Sequence, residues 1–183
     1  SKVSGAEILM DLDQYTVQSN KLPEASEQNM EKSAKDYIKD HVPGVRMNEI
    51  SMGKIKKIMN GTAKTEEGKE PTEIKTEVAN YVLIFERKKD KISFVGPGDK
   101  IRVYFSSDGQ VIGHSKIWRD YKSEPKAKKK IKTTKEIQEK FKAKHGQTKA
   151  SNIEVDFLTF GYLSQGRNKR QDTASPVYIL GYK

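Results

Sequence analysis

The amino-acid sequence predicts an α+β fold built from two units, each a helix followed by antiparallel strands. Three observations predict it. The segment 101–105 alternates apolar and polar residues and is followed by Asp108-Gly109, as in a β-hairpin. Capping residues at Ser26 and Thr133 indicate two amphipathic helices. Two apolar extended segments follow each helix, and 183 residues suffice for one domain or two small lobes.

The first forty-four residues predict a strand and a helix. Apolar residues over 7–17 indicate the strand. Ser26 can cap the helix, because its side-chain oxygen can accept from a free backbone N–H of the first turn. One face of this helix carries its apolar residues, Met30, Ala34, Tyr37 and Ile38. Pro43-Gly44 ends the helix, since the residue before a proline disfavours helical geometry and glycine suits the exit turn.

The middle of the chain predicts two extended segments with a polar loop between them. Segment 45–59 is extended, although the spacing of Ile55 and Ile58 fits a helix as well as a strand. Residues 60–72 are rich in Gly and Glu and predict the loop. Residues 78–85 are β-branched and aromatic, which indicates a central strand.

The clearest pattern is a twisted hairpin from Ile92 to Trp118, which we expect to form the centre of the fold. Gly96-Pro97-Gly98 forces a turn before the alternating strand, and Asp108-Gly109 supplies the positive φ values of a tight hairpin. The buried face of the alternating strand consists of Ile101, Val103 and Phe105. A phosphate loop needs several free N–H groups before a helix, whereas here Pro97 lacks one and a strand follows. We therefore interpret the hairpin as scaffold.

The C-terminal part predicts a charged linker, a helix and two strands. Thr133 and Glu136 form a capping box, and the helix turns Ile137 and Phe141 inward and stops at His145-Gly146. Segments 153–163 and 177–182 are strands, separated by a polar turn over 165–173. The predicted organisation is a unit at 1–121, a lysine-rich linker at 122–132 and a unit at 133–183. The order helix, strand, strand occurs twice and suggests a structural repeat, although residue identity is too low to prove duplication.

The formal charge of +10 is concentrated in one stretch. Between Lys116 and Lys149 there are thirteen Lys and Arg against four Asp and Glu. A lysine run can bind an anionic polymer such as nucleic acid or teichoic acid, or an acidic membrane surface. A run in a linker is also commonly only a solvated connector, and both interpretations stay open. The candidate partner-binding residues are Lys126, Lys128, Lys129, Lys130 and Lys132.

The residue inventory gives no support for catalysis, cofactors or metals. Without cysteine there are no disulfides, thiol nucleophiles or thiolate metal sites. His41 and His145 are at predicted helix C-termini, where a cation complements the dipole, and His114 is predicted to be an ordinary strand residue. The sequence contains no His-Glu-x-x-His, Gly-x-Ser-x-Gly or P-loop pattern, and no apolar run long enough for a membrane span. We expect a protein that is not an enzyme.

Two segments of the hairpin, 95–103 and 108–113, together with Trp118-Arg119, resemble the PepSY-like and thermolysin-propeptide-like modules of bacterial secreted proteins. The last strand, from Ser175 to Ile179, is similar to their closing strand. The resemblance covers 75–119 well and 133–183 loosely. It implies that each unit pairs a helix with a curved antiparallel sheet, as in PepSY and cystatin-like folds.

The resemblance also implies a role. It implies a secreted or envelope location and an accessory function, which is to inhibit or chaperone a peptidase or to bind something near the cell surface. The N-terminal residues lack the apolar run of a signal peptide, and we expect that one has been removed. The chain ends at Lys183 with no protease domain attached. We therefore expect a free-standing, non-catalytic module with a protein partner, and the alternative is a basic protein that binds nucleic acid or a cell-wall polymer.

Overall fold

The computed structural model describes residues 6–10, 26–64, 68, 73–122, 132–145 and 155–182. The described residues form an α+β fold with a large mixed sheet and two helices. None of the helices within these ranges is long and apolar enough to cross a membrane. The elements are β1 (Ala6–Met10), α1 (Glu27–His41), β2 (Ile50–Lys64), β3 (Glu73–Lys89), β4 (Ile92–Val95), β5 (Lys100–Ser106), β6 (Val111–Ile117), α2 (Thr134–His145), β7 (Val155–Leu163) and β8 (Ser175–Tyr182).

The sheet runs in the order β1-β6-β5-β3-β4-β7-β8, and β2 pairs with β3. Every pairing is antiparallel except that of β4 with β7. Along β3, residues 80–86 pair with β5, and Lys88 and Lys89 pair with β4. Strand β4 in turn pairs with the end of β7 through Phe94 and Val95. The short strand β4 therefore joins the two parts of the sheet.

Helix α1 forms as the sequence predicts. The Ser26 side chain accepts from the N–H of Asn29 at 3.2 Å, which satisfies one free donor of the first turn. Met30, Ala34 and Ile38 are buried on its inner face. They pack on side chains from one face of the sheet, among them Tyr81, Leu83, Phe85, Ile101, Val103, Phe105 and Trp118. Each large apolar side chain buried in this way contributes about 1.5–3 kcal/mol.

The predicted centre of the fold is confirmed for β5 and β6 but is wrong for Ile92–Val95. Strand β4 does not pair with β5. It reverses from β3 through a two-residue turn at Asp90-Lys91, where φ is 51° and 66°. Both residues are left-handed, as a type I′ hairpin turn requires. The turn contains no glycine, so no local pattern of residues predicts it.

The turn between β5 and β6 also differs from the prediction. Of the turn residues, only Gly109 has a positive φ, at 85°, whereas a type I′ turn over Asp108-Gly109 would need two such residues. The Gly109 N–H donates to the Ser106 carbonyl at 3.0 Å, and the Ser106 N–H donates to the Gln110 carbonyl at 2.9 Å. The loop is therefore a three-residue hairpin connection that closes with a left-handed glycine.

The predicted polar loop over 60–72 is wrong at its start. Strand β2 continues to Lys64, paired with β3 from Glu73 onward. Cross-strand hydrogen bonds override the weak strand propensity of residues such as Gly61. Ile55 pairs opposite Leu83 on the α1 side, while Ile58 is opposite Asn80 on the other face, so the ambiguous segment is a strand.

The C-terminal unit follows the predicted order. The Thr133 N–H donates to Glu136 Oε2 at 2.6 Å, and the Glu136 N–H donates to Thr133 Oγ1 at 3.3 Å, which confirms the capping box. The ring of Phe141 lies 5.2 Å from that of Tyr182. Residues 123–131 of the predicted linker, Gly146, and residues 11–17 of the predicted first strand lie outside the described residues.

Replacement of Gly98 by Ala is expected to destabilise the fold. A Cβ at this position would overlap the Gln165 carbonyl oxygen and the Ser164 hydroxyl. We expect the free energy of unfolding, measured by urea denaturation, to fall by about 3 kcal/mol. Gly166→Ala is the matched control, because its Cβ meets nothing closer than Pro97 Cγ at 3.5 Å. Equal stability of the two variants would contradict the close approach of the loop.

Candidate functional site

A cluster of four buried charged residues lies where the two parts of the sheet meet. We call Glu49, Arg87, Asp99 and Arg119 the Arg87 cluster; each is at most 8% exposed. The Arg87 Nε donates to Glu49 Oε2 at 2.7 Å, and its Nη1 donates to Asp99 Oδ1 at 3.0 Å. The same Nη1 donates to the Arg119 carbonyl at 2.7 Å. Two cations and two anions make the cluster formally neutral, which favours its burial.

Asp99 connects the cluster to two hydroxyl groups. Its Oδ2 accepts short hydrogen bonds from Tyr121 and Ser164. Burial, reinforced by the hydrogen bond to Asp99, raises the pKa of the Tyr121 hydroxyl to about 12. The Tyr121 ring is half-buried and its hydroxyl is bonded inside the protein. The charged residues that follow Tyr121 in the sequence are typical of a solvent-exposed segment, so they did not predict its buried contact.

Arg119 fixes the loop that follows β7. Its Nη1 donates to the Gln165 carbonyl at 2.8 Å. Its Nη2 donates to the carbonyls of Gly166 and Lys169 at 2.8 and 2.9 Å. Because a guanidinium presents its donors in a rigid fork, these bonds hold the loop in one geometry.

Aromatic rings surround the Arg87 guanidinium. Its centre lies 5.0 Å from the ring of Phe94, 4.6 Å from Trp118 and 5.7 Å from Tyr121. The Phe94 ring stacks on Tyr121 at 5.4 Å and also lies 5.4 Å from Tyr162. Cation–π contacts in a desolvated setting are each worth about 1–2 kcal/mol, so the rings are held firmly around the cation.

A cleft of about 630 Å³ opens beside these rings, between β3–β4 on one side and β7–β8 on the other. We call it the seam cleft. Its volume lies within the usual range for ligand pockets. Its lining residues are Arg46, Glu49, Arg87, Lys89, Asp90, Ile92, Phe94, Asp120, Tyr121, Lys122, Phe160, Tyr162, Thr173, Ala174 and Pro176.

The seam cleft is lined by aromatic rings and by charged side chains. Its walls offer aromatic faces for stacking, and its rim carries exposed charges of both signs. Glu49 accepts from Arg87 and also from Arg46 Nη1 at 3.1 Å, so its carboxylate is already engaged. The lining residues include no histidine, serine or cysteine. Among the described residues, no group of three or more His, Asp and Glu could hold a metal ion.

Of the lysines predicted to bind a partner, Lys132 alone is among the described residues. Lys126, Lys128, Lys129 and Lys130 are outside the described residues. Lys132 is exposed just before α2, and the neighbouring Lys140 lowers the pKa of its ammonium group. The basic stretch therefore continues onto the surface of α2.

The histidines at the helix ends are where the sequence predicts, and His114 has an additional role. His41 and His145 are the last residues of α1 and α2. His114 is a residue of β6, is fully buried, and its Nδ1 lies 3.1 Å from the Tyr37 hydroxyl. Burial lowers the pKa of His114, and the nearby Lys116 and His41 add to this effect while Glu7 opposes it. Sequence reasoning missed this buried polar contact because Tyr37 is far from His114 along the chain.

Comparison with known proteins finds no matching family model, curated protein or solved structure. The resemblance to PepSY-like modules therefore remains a prediction. The seam cleft is interpreted from its own geometry and chemistry.

His114 is expected to make the fold less stable at mildly acidic pH. Its pKa is lower in the folded than in the unfolded chain, so the stability it contributes is present above pH 6.5 and is lost as pH falls through the folded pKa. The slope from one such group is at most about 1.4 kcal/mol per pH unit. His114→Gln should flatten the dependence of the unfolding free energy between pH 7 and pH 5, measured by urea denaturation.

His145→Gln is the control for this measurement, because His145 is the last residue of α2, whereas the charged groups that shift the pKa of His114 are Glu7, Lys116 and His41. Above pH 5 the carboxylate of Glu7 stays ionised, since its bond to Lys116 lowers its pKa. An unchanged slope in His114→Gln, or equal flattening in His145→Gln, would contradict the assignment.

Proposed function

We propose that this protein is a non-catalytic protein-interaction module, and that the seam cleft holds an apolar or aromatic side chain of its partner. The observation that carries the proposal is an aromatic-walled cleft whose buried charges are already paired with one another. An occupant with apolar surface should bind such a cleft most tightly, because the buried charges of the cleft are already neutralised by one another.

The walls of the cleft support this occupant. Phe94, Tyr121, Phe160, Tyr162 and Pro176 contribute apolar surface. Two of these rings are held by stacking and by Arg87, so little side-chain freedom is lost on binding. Well-packed aromatic pockets are typical binding hot spots, where one partner side chain supplies about 2 kcal/mol or more.

The rim of the cleft supports selection among partners. The lining includes Lys89 and Lys122 as well as Asp90 and Asp120, and all four side chains are exposed. Exposed rim charges contribute little affinity but favour a partner of complementary pattern and reject like charges. The cleft therefore selects a charge pattern in the flanking residues of the partner.

We further propose that the partner is a peptidase, which the protein inhibits or chaperones, and that the protein is secreted or lies in the cell envelope. The resemblance of the β5–β6 region to PepSY-like modules supports both proposals. Cell fractionation, peptidase inhibition assays and pull-downs from culture supernatant and envelope extract test them. Cytoplasmic recovery, or consistent absence of a protein partner, would overturn them.

Phe160→Ala should weaken capture of the partner in such pull-downs. The ring lines the seam cleft and lies 5.0 Å from that of Tyr178, so its truncation removes wall surface and a contact for the occupant. We expect at least a tenfold loss of affinity for the captured protein, measured by calorimetry. Phe157→Ala is the matched control: Phe157 is on the same strand, 51% exposed and outside the cleft. Equal losses in both variants would place the interface outside the cleft.

A second candidate function is polyanion binding through Lys126, Lys128, Lys129, Lys130 and Lys132. The proximity of Lys132 and Lys140 favours it, because a bound anionic group would relieve the repulsion between two exposed ammonium groups. Lys132 and Lys140 are not among the described residues that line the seam cleft.

Combined replacement of Lys128, Lys129 and Lys130 by Ala should reduce binding to double-stranded DNA or to teichoic acid. The slope of log affinity against log salt for DNA should fall by about 2–3, because each phosphate contact contributes about 0.9. A triple control replaces Lys32, Lys39 and Lys88, which are exposed elsewhere. Salt-independent binding, or an equal change in the control, would reject this candidate.

We also propose that the two units are related. In each, a helix precedes an antiparallel pair of strands: α1 precedes β2 and β3, and α2 precedes β7 and β8. Homologous sequences whose two halves align no better than shuffled sequences would refute this relation.

A further inference from the structure

The face of the sheet opposite α1 presents a row of side chains across four strands. Arg102 is directly opposite Ile84 on one side and Ser115 on the other, and Ser115 is opposite Ile8. Residues directly opposite one another in antiparallel strands share a face. Ile101 and Val103, which alternate with Arg102, are fully buried on the α1 side, so Arg102 belongs to the opposite face.

A pocket of about 380 Å³ lies at the β1 end of this row. The sheet forms its floor and the loop after β7 supplies two further residues. Its lining residues are Ala6, Glu7, Ile8, Arg102, Ser115, Lys116, Ile117, Arg167 and Asn168. It shares no lining residue with the seam cleft and is therefore a separate site.

The loop holds Arg167 at the pocket through a closed turn. The Lys169 N–H donates to the Gly166 carbonyl at 3.1 Å, and Arg167 is the second residue of this turn. Arg119 donates to the carbonyls of Gly166 and Lys169, at the two ends of this turn. The backbone that carries Arg167 is thus fixed by the Arg87 cluster, which preorganises it for a ligand.

The charges at the pocket are unbalanced. Lys116 is already engaged, since its Nζ lies 2.9 Å from Glu7 Oε2 and donates to the Pro43 carbonyl at 2.8 Å. Within the part of the chain that the structure describes, neither guanidinium, of Arg102 or of Arg167, has a hydrogen bond or an ion pair. Two uncompensated guanidinium groups lining one small pocket repel each other unless an anion lies between them.

We propose that Arg102 and Arg167 bind a phosphate or carboxylate group that carries a short apolar substituent. Guanidinium groups bind both oxyanions through paired hydrogen bonds. The Asn168 amide adds a polar group, and the apolar lining from Ala6, Ile8 and Ile117 suits the substituent. The side chain of Ile8 is 60% exposed, and binding of such a ligand would remove part of it from solvent.

Titration with phenyl phosphate, benzoate, inorganic phosphate and phenol, followed by amide NMR of the full chain, tests the proposal. Phenyl phosphate or benzoate should shift the amides of Ile8, Ser115, Ile117 and Asn168, and the one that binds more tightly identifies the preferred oxyanion. Inorganic phosphate should bind more weakly because it lacks the apolar group, and phenol should cause no shift because it lacks the charge.

Arg102→Gln and Arg167→Gln should each weaken binding of the better probe by about tenfold or more, since each removes charged hydrogen bonds. Arg102→Lys should keep part of the affinity that Arg102→Gln loses, because lysine retains the positive charge but lacks the paired donors of the guanidinium. Lys56→Gln is the matched control: Lys56 is opposite Val82 on the same face, outside the pocket. The same spectra show whether each variant is folded.

Three outcomes would overturn the proposal. The first is the absence of any shift at about 10 mM of either organic probe. The second is an equal loss of affinity in Lys56→Gln, which would mean diffuse attraction to a basic surface. The third is a set of shifts confined to the seam cleft or to α2, which would place the anion elsewhere.

Discussion

The guanidinium of Arg87 is the group on which the arrangement of this molecule depends. It bonds to Glu49 before β2, to Asp99 before β5 and to the carbonyl of Arg119 after β6, so one side chain fixes three separate segments. Burial of its charge is tolerable because the carboxylates of Glu49 and Asp99 both form ion pairs with it. Loss of one member of such a pair leaves an uncompensated buried charge and costs about 3–5 kcal/mol. Both the β5–β6 hairpin and the loop after β7 therefore depend on this cluster.

The two candidate sites share that support. On one side, Arg87 holds the rings of Phe94 and Tyr121 that wall the seam cleft. On the other side, Arg119 holds the loop from which Arg167 reaches the small pocket. Neither site is built on a free loop, which gives both the fixed geometry that selective binding requires. A change within the cluster would affect both sites, whereas a change in one lining residue would affect one.

Local rules predict the parts of this fold that local interactions determine. The caps at Ser26 and Thr133 and the alternation over 101–105 are set by neighbours within a few residues, and all three are confirmed. The type I′ turn at Asp90-Lys91 has no glycine, and its conformation is imposed by the pairing of β3 with β4. The sites could not be predicted, because residues as far apart as Asp99 and Ser164 meet only after folding, and no spacing in the sequence predicts such a tertiary contact.

The charges of this protein fall into a buried, neutral set and an exposed set with a positive excess. The charges of the Arg87 cluster cancel, so the formal +10 of the chain is carried by other groups, including Lys132 near α2 and the guanidinium groups of Arg102 and Arg167. Salt screens exposed charges over about 10 Å at 0.1 M but screens buried pairs much less. Ionic strength therefore changes the attraction of this protein for anions without loosening the cluster that organises it. Contacts in the aromatic seam cleft are the least sensitive to salt, so the salt dependence of a partner's binding distinguishes the cleft from the basic surfaces.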